Sequence, residues 1–405
     1  MHNWQMLMQA AVVALACSAC ARTPGVSDDR GLLDGDVASA DAGGPGDPLD
    51  FLPSHVGLRA AFEDGLGSLV VGADGHLFWV VDSTTGAITS YVDSSMESAR
   101  VVRAPGQGTL NGVRFGSVAI ADGRSLGTFT LAGFEVLPAT TCVIVGDRPA
   151  VFLVWEDILI DGFMTAGADR IPNLRGPGPG GYWGGTNGGS SGEGPGAGSP
   201  GAGGSFGGLG GKSGDAATPG LVYGDSVLEL LEGGSGGGAG SKADAVAGNG
   251  GGALQLSARR SIVVGLSGML DAGGSGGRGT YQSAGGGGGS GGALFLEAPK
   301  VEITGFVGAN GGAGGQAEGP FGSHGEPDIV PAPASPTEGR SGGGGAGSGA
   351  GGCAGDGADA DIAGGGGGGG GRVVIRTSSD KEHLTLGVTP TLSSGLYSVL
   401  PLSES

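Results

Sequence analysis

Glycine supplies 98 of the 405 residues, about three times the usual share of roughly 7%. The glycines come in runs such as 285–289 and 364–371, not at every third position with abundant proline, so a collagen triple helix is excluded. A formal charge of −19, from 39 acidic against 20 basic side chains, works against contact with nucleic-acid phosphates, which takes clustered Lys and Arg.

At the amino terminus, Met6 to Ala16 is an apolar stretch shorter than the roughly 20 residues a membrane-spanning helix needs, and it fits the core of an export signal. Ala14-Leu15-Ala16-Cys17 resembles the lipobox of bacterial lipoproteins, which makes Cys17 the expected acylation site, with Cys20 as the alternative. The basic residues usual before such a core are missing, and only His2 stands there. We read 1–20 as a lipoprotein signal segment. From 21 to 54 the chain is rich in Pro, Gly, Asp, Ala and Ser, the composition of a solvated tether.

Residues 55–125 lack glycine runs and alternate in polarity, as in Ser68–Val71 and Leu77–Val81, which predicts a small β-rich domain or an amino-terminal cap. The main body is expected over 126–380, followed by a tail over 381–405. Its signature is internal repetition. Ala150–Ala166 aligns without gaps on Ala293–Ala309, with identities that include Phe152/Phe295, Leu153/Leu296, Ile160/Ile303 and Phe163/Phe306. A third copy starts at Ala253 and a degenerate fourth at Arg372, so that copies begin at 253, 293 and 372. Each copy reads as three short strands with continuous or alternating apolar character, and helices are expected to be few. Such a unit cannot bury its apolar face alone, but stacked copies share a continuous core. The expected fold is therefore mainly β, a parallel β-solenoid with long glycine-rich loops. Ordered glycine must recover backbone hydrogen bonds there, either as extra strands or as packed polyproline-II-like rods.

The string from Gly291 to Gly315, with Ala293-Leu-Phe-Leu at its start and Ile303-Thr-Gly-Phe-Val307 at its centre, resembles glycine-rich lipoproteins and surface proteins of myxobacterial type. The resemblance covers about Leu126 to Thr377. It implies a right-handed parallel β-helix of the pectate-lyase type with glycine-rich insertions, and it implies no catalytic motif.

Candidate chemistry is sparse. Asp157 and Asp161 on one strand would stand roughly 13 Å apart at about 3.3 Å per residue, wider than glycosidase carboxyl pairs. Gly211-Lys212-Ser213 resembles the end of a phosphate loop, but Phe206 stands where that motif needs Gly. The five His have no metal-ligand spacing. Asp356, Asp359 and Asp361 are weak candidates for a calcium site, since the hard oxygen ligands are present without a regular repeat. Tyr182-Trp183 suits either sugar stacking or packing. Cys142 and Cys353 are candidates for a disulfide in an oxidising compartment, with two separate thiols as the alternative.

Export signal, tether and repeats without a chemical constellation together predict a non-catalytic lipoprotein, structural or adhesive, in the cell envelope. It would be anchored at the outer membrane or displayed outside the cell, with a membrane and a polysaccharide or surface matrix as partners and no required cofactor. The alternative is a β-helix that binds or cleaves polysaccharide.

Overall fold

The computed structural model describes residues 51–57, 62–120, 123–214, 217–281, 283–317, 319, 321–328, 330–334, 342–346, 353–357, 363–378, 384–386 and 397–402. The expected signal segment, including Cys17 and Cys20, and the tether up to residue 50 lie outside them. The described residues contain no helix and are mainly β.

The strands, in chain order, are β1 Leu69–Val71, β2 Phe78–Asp82, β3 Ile88–Tyr91, β4 Arg100–Arg103, β5 Gly108–Leu110, β6 Val113–Ala119 and β7 Ser125–Leu131. Next come β8 Phe134–Val136, β9 Thr141–Val145, β10 Ala150–Val154, β11 Asp157–Ile160, β12 Phe163–Thr165, β13 Ala253–Ala258, β14 Ser261–Val264 and β15 Met269–Asp271. The last are β16 Ala293–Glu297, β17 Lys300–Ile303, β18 Phe306–Gly308, β19 Arg372–Thr377, β20 Leu384–Leu386 and β21 Tyr397–Pro401.

They form three sheets, in the orders β1-β8-β11-β14-β17-β20, β21-β19-β16-β13-β10-β7-β6-β5 and β18-β15-β12-β9-β2-β3-β4. Pairing is parallel except among β2–β4 and β5–β7. The strands that begin at 150, 253, 293 and 372 are consecutive neighbours in the second sheet. Strands from residues 55–125 do not stand apart: β1 pairs with β8, β2 with β9, and β6 with β7.

One apolar core lies between the sheets. It takes Phe129, Phe152, Leu256, Leu296 and Ile375 from the second sheet, Ile158, Ile262 and Val301 from the first, and Met164, Leu270 and Val307 from the third. Phe129 and Phe152 are register partners and stack with ring centroids 5.0 Å apart. A second cluster covers the opposite face of the second sheet. There Val151, Leu153, Phe295 and Val374 meet Val56, Phe206, Leu228 and Leu231. Burial on both faces explains why β10 and Ala293–Leu296 of β16 read as unbroken apolar runs, while β17, Lys300-Val-Glu-Ile303, is buried on one face and alternates.

The register corrects the gapless alignment. Ile158 lines up through Ile262 with Val301, and Phe163 through Met269 with Phe306, as aligned. In the first strand of each copy, however, Phe152 lines up through Leu256 with Leu296, one residue out of step. The identical residues Phe152 and Phe295 therefore face opposite sides of the sheet, since a slip of one residue inverts every side chain. The turn at Ala298-Pro299 absorbs the difference. Between register-equivalent positions the chain takes one residue fewer there: Leu153 and Asp157 in the first copy correspond to Glu297 and Lys300.

The long glycine-rich segments are neither strands nor coil without partners. Along 233–240 the amide hydrogen bonds rotate through three neighbours: Gly234, Gly237 and Gly240 donate to Gly251, Gly248 and Ala245, Gly236 and Ala239 to Glu193 and Ser190, and Gly238 to Ala202. Along 285–292 the same rotation holds. Gly286, Gly289 and Gly292 donate to Arg278, Ser275 and Ala272, Gly288 and Gly291 to Gly366 and Gly369, and Gly287 and Ser290 to Gly238 and Ser235, at 2.8–3.0 Å. A period of three is that of the polyproline-II helix. No glycine of 233–240 or 285–292 lies in the left-handed region, so backbone freedom is not why glycine is needed. Proximity is: a Cβ on Gly287, Gly288 or Gly289 would land on the carbonyl oxygen of Ala202, Gly312 or Asn249.

Candidate functional site

β12, β15 and β18 are consecutive neighbours in the third sheet, with Phe163, Met269 and Phe306 in register. From the end of each strand the chain enters a glycine-rich segment, so three such segments start side by side. Ala166 donates to Asp271 O at 2.8 Å, and Ala272 to Gly308 O at 2.9 Å. One step further, Ala168 and Gly274 donate to Gly273 and Asn310.

The base of this junction is a buried ion pair. Asp271 is fully buried, accepts Thr165 Oγ1 at 2.6 Å and the Gly273 amide at 2.8 Å, and stands 2.9 Å from Arg170 Nη2. Arg170 also donates to Glu326 Oε1 at 2.8 Å and Gly325 O at 2.6 Å. It thereby fastens the segment after β18 to the end of β12.

Above that base lies a cleft of about 470 Å³. Its lining comes from three stretches of chain: Asp169 and 171–175, Gly276–Arg278, and Phe321, Gly322 and His324. The Arg278 guanidinium lies over the Phe321 ring, 4.4 Å from its centroid, and Phe321 remains 59% exposed. Leu174, also in the lining, is 61% exposed. Arg175 donates to Ala247 O at 2.6 Å and pairs loosely with Asp169, 3.4 Å away. His324 Nδ1 accepts the Gly276 amide at 3.2 Å, which leaves the hydrogen on Nε2. Burial, and after it the charge of Arg170, holds its imidazolium below the usual range, so the ring is neutral near pH 7. None of these residues stood out in the sequence. Arg175, Arg278 and Phe321 are far apart along the chain, and only the strand register brings them together.

A second polar cluster holds the segment at 51–57 against the second sheet. Glu297 is fully buried in β16. It accepts the Ser54 amide at 2.9 Å, Ser54 Oγ at 2.6 Å and Ser257 Oγ at 3.0 Å. Arg376 Nη1 donates to Ser54 Oγ at 3.0 Å. His55 reaches Gln255 Oε1 at 2.7 Å and Leu228 O at 2.5 Å. Desolvation pushes the Glu297 carboxyl above the ordinary glutamate range, against the pull of its Ser54 donors. The polar residues Ser257, Glu297 and Arg376 are register partners on adjacent strands.

A third buried group, Arg103, has every guanidinium nitrogen bonded to carbonyls, including Gly86 at 2.6 Å and Gly108 at 2.7 Å. It fills the inside of the turn between β4 and β5.

The sequence candidates fare unevenly. Asp157 and Asp161 do not converge. The Asp157 carboxylate takes the Ser261 hydroxyl at 2.6 Å, while Asp161 meets Ser267 through its backbone carbonyl. In Gly211-Lys212-Ser213 the amides of Gly211 and Lys212 are already bound to Gly367 O and Asp356 Oδ1, so no phosphate cradle exists there. That contact also engages Asp356 as a partner of Lys212, and Asp359 and Asp361 lie outside the described residues. Among the described residues no three His, Cys, Asp or Glu side chains are placed to hold a metal ion. The candidate disulfide is not formed: Cys142 is fully buried in β9, Cys353 is partly exposed, and both are thiols. Burial pushes the Cys142 thiol up to about 12. Trp183 is 44% exposed, and its backbone lies within the glycine bundle, where Glu193 donates to its carbonyl.

Comparison with known proteins found no matching family model, no matching curated protein and no matching solved structure.

Proposed function

We propose that the chain is a non-catalytic surface protein, structural or adhesive, exported and held by a lipid on Cys17 or Cys20. In this reading the sheets are three faces of one β-solenoid, and the glycine bundle is a rigid platform built onto it. The reading is supported by the order in which the strands recur: β10, β11 and β12 are followed in the same sheets by β13, β14 and β15 and then by β16, β17 and β18. A chain that gives one strand to each sheet in turn, in parallel register, winds as a coil.

The observation that carries the non-catalytic part is the state of the buried ionisable groups. Arg103, Asp271 and Glu297 are each saturated by fixed protein partners, and the two carboxylates lie in separate clusters, without the facing pair that glycoside cleavage uses. A bundle held mostly by backbone hydrogen bonds, with a few Ser and Asn side chains added inside it, also suits display, because such bonds tolerate changes in the exposed residues.

The anchor is tested by substituting Ala for Cys17 and Cys20 together and separating the cell into soluble and membrane fractions. Release of the double variant is the expected result. Continued membrane association of the double variant would count against the anchor. The adhesive part is tested by deleting the gene and measuring cell–cell and cell–matrix attachment, which should fall.

A further inference from the structure

The cleft at the ends of β12, β15 and β18 holds one cation, Arg278, that is not taken up by a carboxylate of the described residues, whereas Arg175 is engaged by Asp169 and Ala247 O. Arg278 makes no ion pair among the described residues, although its charge is felt by Asp244, whose carboxylate accepts Thr280 Oγ1 at 2.6 Å. An exposed guanidinium held over an aromatic ring, in a chain of charge −19, has no carboxylate partner among the described residues to account for it. The planar fork of Arg matches a carboxylate in two parallel hydrogen bonds. Stacking on Phe321 fixes its orientation beforehand, which lowers the entropy lost on binding.

The remaining walls fit a sugar ring. Phe321 and Leu174 both line the cleft and are largely exposed, which gives apolar surface to the C–H faces of a pyranose. His324 offers a neutral Nε2–H and Asn173 an exposed amide, both suited to hydroxyl groups. The volume of about 470 Å³ falls within the range of ligand clefts and holds one or two sugar units. A bare phosphate would leave the aromatic and aliphatic walls without a role.

We propose that this cleft binds the carboxylate-bearing sugar of an acidic polysaccharide, with Arg278 taking the carboxylate and Phe321 the ring. This deepens the adhesive reading by naming a ligand class, and it is tested in solution, independently of the lipid anchor.

The experiment titrates the full chain by calorimetry with a glucuronate-terminated trisaccharide, its methyl ester, a neutral trisaccharide of the same linkage, and AMP. Saturable binding of the acid is expected, weakened at least about tenfold in the ester and neutral sugars, the size of one charge-assisted contact. Arg278→Ala should weaken binding by about the same factor, with Arg278→Lys intermediate, and Phe321→Ala should weaken it further. Both side chains are exposed, so the unfolding temperatures of these variants should match that of the parent. The proposal is overturned if the acid does not bind saturably, if the ester or neutral sugar binds equally, if AMP binds more tightly, or if Arg278→Ala has no effect. A failed titration together with reduced cell–cell or cell–matrix attachment in the deletion strain would leave the adhesive reading standing and remove only the ligand.

Discussion

At the scale of single residues, polar groups inside this molecule are fasteners. Glu297 sits among apolar neighbours because Ser54, Ser257 and Gln255 supply its hydrogen bonds, and through it the segment at 51–57 is fixed to the second sheet. Glu297→Ala removes the acceptor of four donors, the Ser54 amide and hydroxyl, Ser257 Oγ and Gln255 Nε2; at about 1–3 kcal/mol for an unsatisfied buried group, a loss of about 3 kcal/mol is expected in denaturant unfolding. Its carboxyl is raised in the folded state, so the folded chain binds a proton more tightly than the unfolded one. That contribution to stability is complete below the ordinary glutamate value of 4.5 and is lost as pH rises through the higher folded-state value. The difference in stability between the parent and Glu297→Gln should therefore shift against the parent as pH rises from 4.5 toward neutrality. A flat difference over that interval would show that the carboxyl is not raised. Of these contacts the sequence showed only that Glu297 ends the apolar run Ala293–Leu296; its partners lie on other strands and on the segment before the sheets.

Among elements, the deciding feature is how close the glycine rods approach. Gly288→Ala places a methyl group on the Gly312 carbonyl, backbone that has no room to move, and about 3 kcal/mol or more should be lost through overpacking. Gly189→Ala is the control. Its φ of +75° costs an L-residue about 1–2 kcal/mol, but nothing lies within 4 Å of the new methyl group. Equal unfolding midpoints for the two variants would mean that the rods are not packed as described. Phe206 is the apolar link between the rods and the second sheet, edge-on to Tyr223 at 4.8 Å and wholly buried. Phe206→Ala should cost about 3–5 kcal/mol, and in amide exchange the segment 201–211 should lose protection before β13 and β16 do. The strands themselves were legible from runs such as Ala150–Val154 and Ala293–Glu297. The one-residue slip between those two was not, because the identical Phe and Leu invite an alignment that the shorter turn at Ala298-Pro299 displaces.

For the molecule as a whole, core and bundle stand or fall together, since each glycine segment is bounded by strands of the sheets. Segment 272–292 runs from β15 to β16 and segment 309–371 from β18 to β19, so rods and strands share their ends. A single cooperative unfolding transition is expected when circular dichroism and amide exchange of 285–292 are followed together, and separate transitions would contradict it. The amino-acid sequence by itself determined the β class, the starts of the strands near 150, 253, 293 and 372, and the need for glycine to regain hydrogen bonds, because apolar period and backbone chemistry are local properties. Only the tertiary structure decided that the glycine is ordered by a rotating set of three neighbours, that Cys142 and Cys353 stay apart, and that Arg175, Arg278 and Phe321 share a cleft. Each of these depends on parallel register between segments distant in the chain, and the spacing of residues along one strand carries no information about what the next strand places beside it.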